Sequence, residues 1–160
     1  MTDEEFLEHL AAMREQMYRV SCAQLKNAYD RDDAVQETLF KAWYNRKKLR
    51  NEQYMKSWVI RILINECHNI QRKQQREVVT NELPERIGST DTNMELYDAL
   101  FRLDKKLRLP IVLHHIEGYR VQEISKILGI PKGTVLWRMS KARKELEIML
   151  GTDVCGENEQ

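Results

Sequence analysis

Residues Arg120–Leu146 read RVQEISKILGIPKGTVLWRMSKARKEL, and this stretch decides the fold class. Ile124, Ile127 and Leu128 recur at helical spacing in a short first segment. Gly129 follows, a residue type that adopts left-handed backbone at a helix end without a Cβ penalty. Ile130 is placed to pack between two helices. Pro131 suits the start of the next one, where its missing N–H would have no intrahelical partner. Val135, Met139, Ala142 and Leu146 then fall at steps of four, three and four and give the second helix one buried stripe. A short helix, a glycine turn and a longer helix form a helix-turn-helix, whose second helix enters the major groove of duplex DNA. Lys132, Arg138, Lys141, Arg143 and Lys144 add a basic face with no acidic residue among them, which suits phosphate contact. Such charge runs are common on merely solvated helices, so the turn and the basic face carry weight only together.

Upstream of this motif, Leu109-Pro110 suits the opening of a helix through Ile111, Val112 and Ile116, ended by Gly118. Thr92 or Asn93 can cap another through Leu96, Leu100 and Leu103. Residues 94–150 thus form one small helical domain and 151–160 a polar tail. Residues 77–93 hold Pro84, Gly88 and a Ser-Thr-Asp-Thr-Asn run without helical period, and read as a flexible linker.

Residues 1–76 predict a second helical domain. Phe6, Leu10, Met13, Met17 and Val20 mark an amphipathic helix running to about Leu25. Asp30 or Asp32 can cap a helix from Asp33 to roughly Lys48, with Val35, Leu39, Ala42 and Trp43 buried. A third helix has a broad apolar stripe through Met55, Trp58, Val59, Ile62, Leu63 and Ile70. No run alternates with period two, so the expected fold class is all-α, with two small helical domains joined by a linker.

Composition narrows the function classes. Twenty-six Lys and Arg against 25 Asp and Glu give a net charge of +1 over 160 residues, so any nucleic-acid surface must arise from segregated charge. Cys22, Cys67 and Cys155 are widely spaced, and no CxxC or His cluster suggests a metal site; no cofactor is expected. His114-His115 are adjacent on a helix and point apart, a poor arrangement for one ion. Glu4-Glu5 and Asp32-Asp33 suit capping or surface use, and with no phosphate loop or nucleophile constellation the chain is expected not to be an enzyme. The acidic start MTDEEFLEHL is unlike a signal peptide and no apolar run approaches a membrane span, so a cytoplasmic location without membrane insertion is expected.

Two quoted motifs resemble the extracytoplasmic-function (ECF) sigma factors of the sigma-70 family. The C-terminal one matches EGxxxxEIxxxLGIPxGTVxxRxxxARxxL, and Asp32–Trp43, DDAVQETLFKAW, matches DxVQExxxxAW. The resemblance implies that Asp33, Gln36, Glu37 and Phe40 contact the clamp helices of the largest subunit of core RNA polymerase. It also implies that Arg61, Asn65, His68 and Arg72, spaced along one polar face of the third helix, hold the unpaired non-template strand of the minus-10 element of promoter DNA. Lys41, Arg46 and Lys47–Arg50 would add charge there, while Trp58 is assigned to the core. Asn65 aligns with the asparagine of the family's RIxxN segment. Lys132, Thr134, Leu136, Trp137, Arg138, Ser140 and Lys141 would face minus-35 duplex DNA, and an anti-sigma factor is the implied inhibitor.

This chain departs from the family at Arg120, where Ser or Thr commonly caps the first helix of the motif. It departs again at Leu136 and Trp137, where Lys or Arg followed by Ser is usual. Two rivals remain in view. A dimeric helix-turn-helix regulator would bind palindromic duplex without polymerase, and an enzyme acting on nucleic acid would need paired metal-ligating carboxylates.

Overall fold

A computed structural model of the chain describes residues 1–76 and 91–151. Those residues are helical, with no strand among them, and fall into two compact units. Most of the expected linker and all of the tail beyond Gly151 lie outside them, as does Cys155.

The first unit opens on α1 (Asp3–Ala12), fixed by a reciprocal cap: the Thr2 hydroxyl accepts from the Glu5 N–H at 3.2 Å and the Glu5 carboxylate accepts from the Thr2 N–H at 2.7 Å. The single helix expected to reach Leu25 is instead divided at Met13, after which α2 runs over Arg14–Cys22. Met13 stays buried, so the apolar stripe crosses a joint that contains neither Gly nor Pro. Periodicity alone therefore passes over it.

Helix α3 spans Ala28–Tyr44. It starts before the expected Asp33 because Asn27, not Asp30 or Asp32, is the cap: its Oδ1 accepts from the Tyr29 N–H at 2.8 Å. It also stops short of Lys48, since Arg46–Lys48 form a 3₁₀ turn. Arg31 is buried in the first turn, and its Nη1 donates to the carbonyls of Leu25 (3.1 Å) and Lys26 (2.9 Å). These bonds offset the cost of taking a guanidinium out of water.

After a second 3₁₀ turn at Glu52–Tyr54, α4 runs over Met55–Arg76 and packs chiefly on α3. Met17, Val20, Val35, Ala42, Val59, Ile60, Leu63 and Cys67 form the core. The stripe on α4 lies further round than expected: Ile60, Ile64 and Cys67 are buried, while Trp58, Ile62 and Ile70 sit half-buried at its edge. Phe6 links Trp43 and Trp58, with ring centroids at 6.3 and 6.5 Å.

In the second unit α5 covers Asp91–Arg102, so positions 91–93, expected as linker and cap, already belong to it. Asp104 caps α6 (Lys105–Ile111), its Oδ1 accepting from the Lys106 N–H at 3.3 Å. Pro110, which the sequence places at the opening of a helix, lies inside this one, two residues before a π-helical turn at Val112–Ile116. Proline lacks the N–H that a regular ladder would use there. The widened turn ends with the Glu117 N–H bonded to the Val112 carbonyl at 3.1 Å. Buried Arg108 donates to the carbonyls of Leu100 (2.8 Å), Phe101 (3.2 Å) and Leu103 (2.9 Å), closing the end of α5. Helices α7 (Val121–Leu128) and α8 (Lys132–Leu150) complete the unit over a core of Leu100, Leu113, Ile124, Val135 and Ala142.

Candidate functional site

The turn between α7 and α8 follows from its residue types. Gly129 takes φ +67°, ψ +35°, the left-handed conformation expected of it, and Pro131 precedes α8 with extended backbone. The Ser125 hydroxyl donates to the Ile130 carbonyl at 2.5 Å and the Ile130 N–H bonds the Ser125 carbonyl at 3.1 Å, which fixes the angle between the helices. At the start of α7 the Glu123 carboxylate accepts from the Arg120 N–H at 3.3 Å. A guanidinium has no acceptor, so the forward half of a capping box is missing there, as expected from Arg120.

Val135, Met139, Ala142 and Leu146 are buried, which turns the other faces of α8 outward. Lys132, Leu136, Trp137 and Lys141 are exposed, and Thr134, Arg138 and Ser140 half-buried. Trp137 is 61% exposed and Leu136 52%. The Lys141 ammonium lies 5.1 Å from the Trp137 ring centroid, a cation–π distance.

On the first unit, Asp33, Gln36, Glu37 and Phe40 share one exposed face of α3. Tyr29 and Tyr44 extend that face at both ends, which the sequence reading missed, and Phe40 stacks on Tyr44 with centroids 6.2 Å apart. The spacing 29, 33, 36, 40, 44 was available as the signal. A polar, partly aromatic helix face spared by the core suits docking on another protein.

The face of α4 keeps Arg61, Asn65 and Arg72 exposed and His68 half-buried. Asn69 joins them: its Oδ1 accepts from Arg72 Nη2 at 2.6 Å. The charge around the preceding connector is distributed differently from the expectation. Lys41 forms an ion pair with the buried Glu66, and that bond raises the ammonium's pKa above its ordinary value. Arg46 bonds Asp3 at 2.9 Å and covers the Trp43 ring at 3.9 Å. Lys47, Lys48 and Arg50 remain exposed as the connector's cations.

The other reactive side chains have structural roles. Burial pushes the Cys67 thiol up to about 12, far from thiolate chemistry at neutral pH. His114 and His115 do not diverge as an ordinary helix would set them; their rings meet edge-on at 4.8 Å, and His114 Nδ1 lies 2.9 Å from the Tyr119 carbonyl. Among the described residues no three His, Cys, Asp or Glu side chains converge as metal ligands, and no helix is long and apolar enough to cross a membrane.

A helix-turn-helix unit thus accompanies a second helical unit whose α3 leaves a polar and aromatic face exposed and whose α4 leaves a largely basic one, the arrangement expected of a promoter-recognition protein. Residues 6–77 match the model of Sigma-70 region 2 and residues 93–146 that of Sigma-70 region 4. RNA polymerase sigma factor SigV of Bacillus subtilis is 31% identical over 142 residues, covering 86% of each chain. ECF RNA polymerase sigma factor SigM of Mycobacterium tuberculosis is 27% identical over 141 residues, covering 85% of this chain and 72% of the relative. Among solved structures, the sigma factor RpoE of Bartonella quintana, in complex with the anti-sigma factor NepR, superposes with a TM-score of 0.81 at 26% identity, over 94% of this chain and 99% of that one. CnrH, in complex with the cytosolic domain of CnrY, shares the fold with a TM-score of 0.74 at 23% identity, over 95% and 91% of the two chains. The chain belongs to the ECF sigma factors of the sigma-70 family. It is an RNA polymerase sigma factor of promoter-specific transcription.

Proposed function

We propose that this sigma factor recognises a promoter through three faces. Asp33, Gln36, Glu37 and Phe40 of α3 dock on the clamp helices of core polymerase. Arg61, Asn65, His68 and Arg72 of α4 hold the unpaired minus-10 strand, with Asn65 against a base turned out of the stack. Lys132, Thr134, Leu136, Trp137, Arg138, Ser140 and Lys141 of α8 read the minus-35 duplex. Single-strand capture needs a cationic track with polar groups for exposed base edges, and duplex reading needs a helix with donors at its N-terminal end. The observation that carries this assignment is the exposure of most of these side chains on helix faces that the two cores leave unused.

In this role the protein acts without catalysis, as an initiation subunit in the cytoplasm, and needs no metal or cofactor. Its inhibitor is an anti-sigma protein; the RpoE relative is held by one, NepR. The test measures holoenzyme binding to fork-junction DNA, with duplex upstream and a single-stranded minus-10 segment. Asn65→Ala is expected to weaken binding to the fork roughly tenfold, within the range for loss of one base contact, and to leave binding to upstream duplex unchanged. Equal loss on both DNAs, or no loss on the fork, would contradict the assignment.

A further inference from the structure

We propose that Leu136 and Trp137 form an apolar reading surface that selects thymine in the minus-35 duplex through its C5 methyl group, an inference that rests on α8 being the duplex-facing helix. With Val135, Met139, Ala142 and Leu146 buried, the 3.6-residue period places Trp137 opposite the core stripe and Leu136 on its flank. Neither side chain serves the core: Trp137 is 61% and Leu136 52% exposed, in the half of α8 that also carries Lys132, Arg138 and Lys141.

Among the base edges in the major groove only thymine carries a methyl group; cytosine has a bare C5–H at the same place, and the remaining groups that project there are chiefly hydrogen-bond donors and acceptors. Leucine can neither donate nor accept. Set against cytosine N4 or guanine O6, it would strip water from a polar edge and replace nothing, whereas against a thymine methyl it covers apolar surface at no such cost. The indole adds area beside it. Helix side chains lean toward the N-terminus, and one turn before Trp137 stands Gly133, where even an added Cβ would meet nothing within 4 Å. The indole therefore has open space over Gly133, and Lys141, 5.1 Å from its ring, places a cation next to it for a phosphate.

The experiment uses holoenzyme formed from core polymerase and the full chain. An upstream element is first selected from a randomised duplex library. Each thymine of the selected sequence is then replaced singly by deoxyuridine, which deletes the methyl and nothing else. At one or two positions uracil is expected to weaken binding about fourfold, the worth of one buried methyl group. Leu136→Ala and Trp137→Ala, both at exposed positions, are expected to bind thymine and uracil alike there. Uracil equal to thymine at every position would overturn the proposal, as would discrimination that survives in both variants. Variants that keep DNA selection but lose binding to a protein partner would also overturn it, and would make the surface a protein interface. Failure of the holoenzyme to select any upstream element would instead overturn the assignment of α8 on which the proposal rests.

Discussion

Gly129 shows how much one residue can decide. At φ +67° an alanine is strained, yet a Cβ there would meet nothing within 4 Å, so the cost is backbone conformation alone. Gly129→Ala is expected to lower stability by about 1 kcal/mol in urea unfolding. His115 gives a pH dependence whose sign can be worked out. Its imidazole is exposed on one side, and the partial covering of the ring, then His114 and Arg143, lower its pKa from the ordinary 6.5. A base whose folded pKa is depressed is more readily protonated in the unfolded chain, so its contribution is complete above 6.5 and fades as pH falls through the folded value. The second unit should therefore lose a small part of its stability on mild acidification, solvent screening keeping the effect slight, and His115→Gln should flatten that part of the profile. Gly129 and Pro131 were legible in the sequence because each acts on its own backbone. Arg31, Arg108 and the Lys41–Glu66 pair were not. The burial of the two arginines and of Glu66 is tolerated only because particular carbonyls or the Lys41 ammonium meet them, and for Glu66 the partner lies on another helix.

At the scale of the element, α3 is the informative case. Its start is set by Asn27, so Asn27→Ala should cost about 1 kcal/mol, while Asp32→Ala, inside the helix and exposed, should leave stability near that of the parent. Calorimetry on the two variants separates the observed boundary from the one suggested by the acidic pair. Phe40, 63% exposed and stacked on Tyr44, should behave as an interface anchor. Phe40→Ala is expected to weaken core polymerase binding about tenfold at unchanged melting temperature, the split that distinguishes a docking residue from a packing one. The helix-turn-helix was read to within a residue because its glycine, proline and stripe all state the same boundary. The joint at Met13 and the π turn after Pro110 were missed for the opposite reason. The first has no breaker residue, and at the second proline sits inside a helix whose tertiary packing overrides its usual place.

For the whole molecule, the near-neutral charge sum conceals surfaces of opposite charge: an acidic and aromatic face on α3, and basic ones on α4 and α8. Two modest DNA contacts carried on one chain reinforce each other through effective concentration, so separating residues 1–76 from 91–151 should cost far more promoter affinity than any single contact. Each phosphate contact should also leave a trace in salt dependence. Lys132→Ala is expected to reduce the slope of log affinity against log salt by about one, with little change in sequence preference. The two-domain plan was legible because two motifs stood in order on either side of a polar stretch. The most direct test of the central claim is transcription in vitro by core polymerase, with and without this protein, across a library of promoter fragments. Transcripts that start at a defined subset of promoters only when the protein is present are the expected result; core polymerase that gains no promoter-specific transcript from any fragment would contradict it.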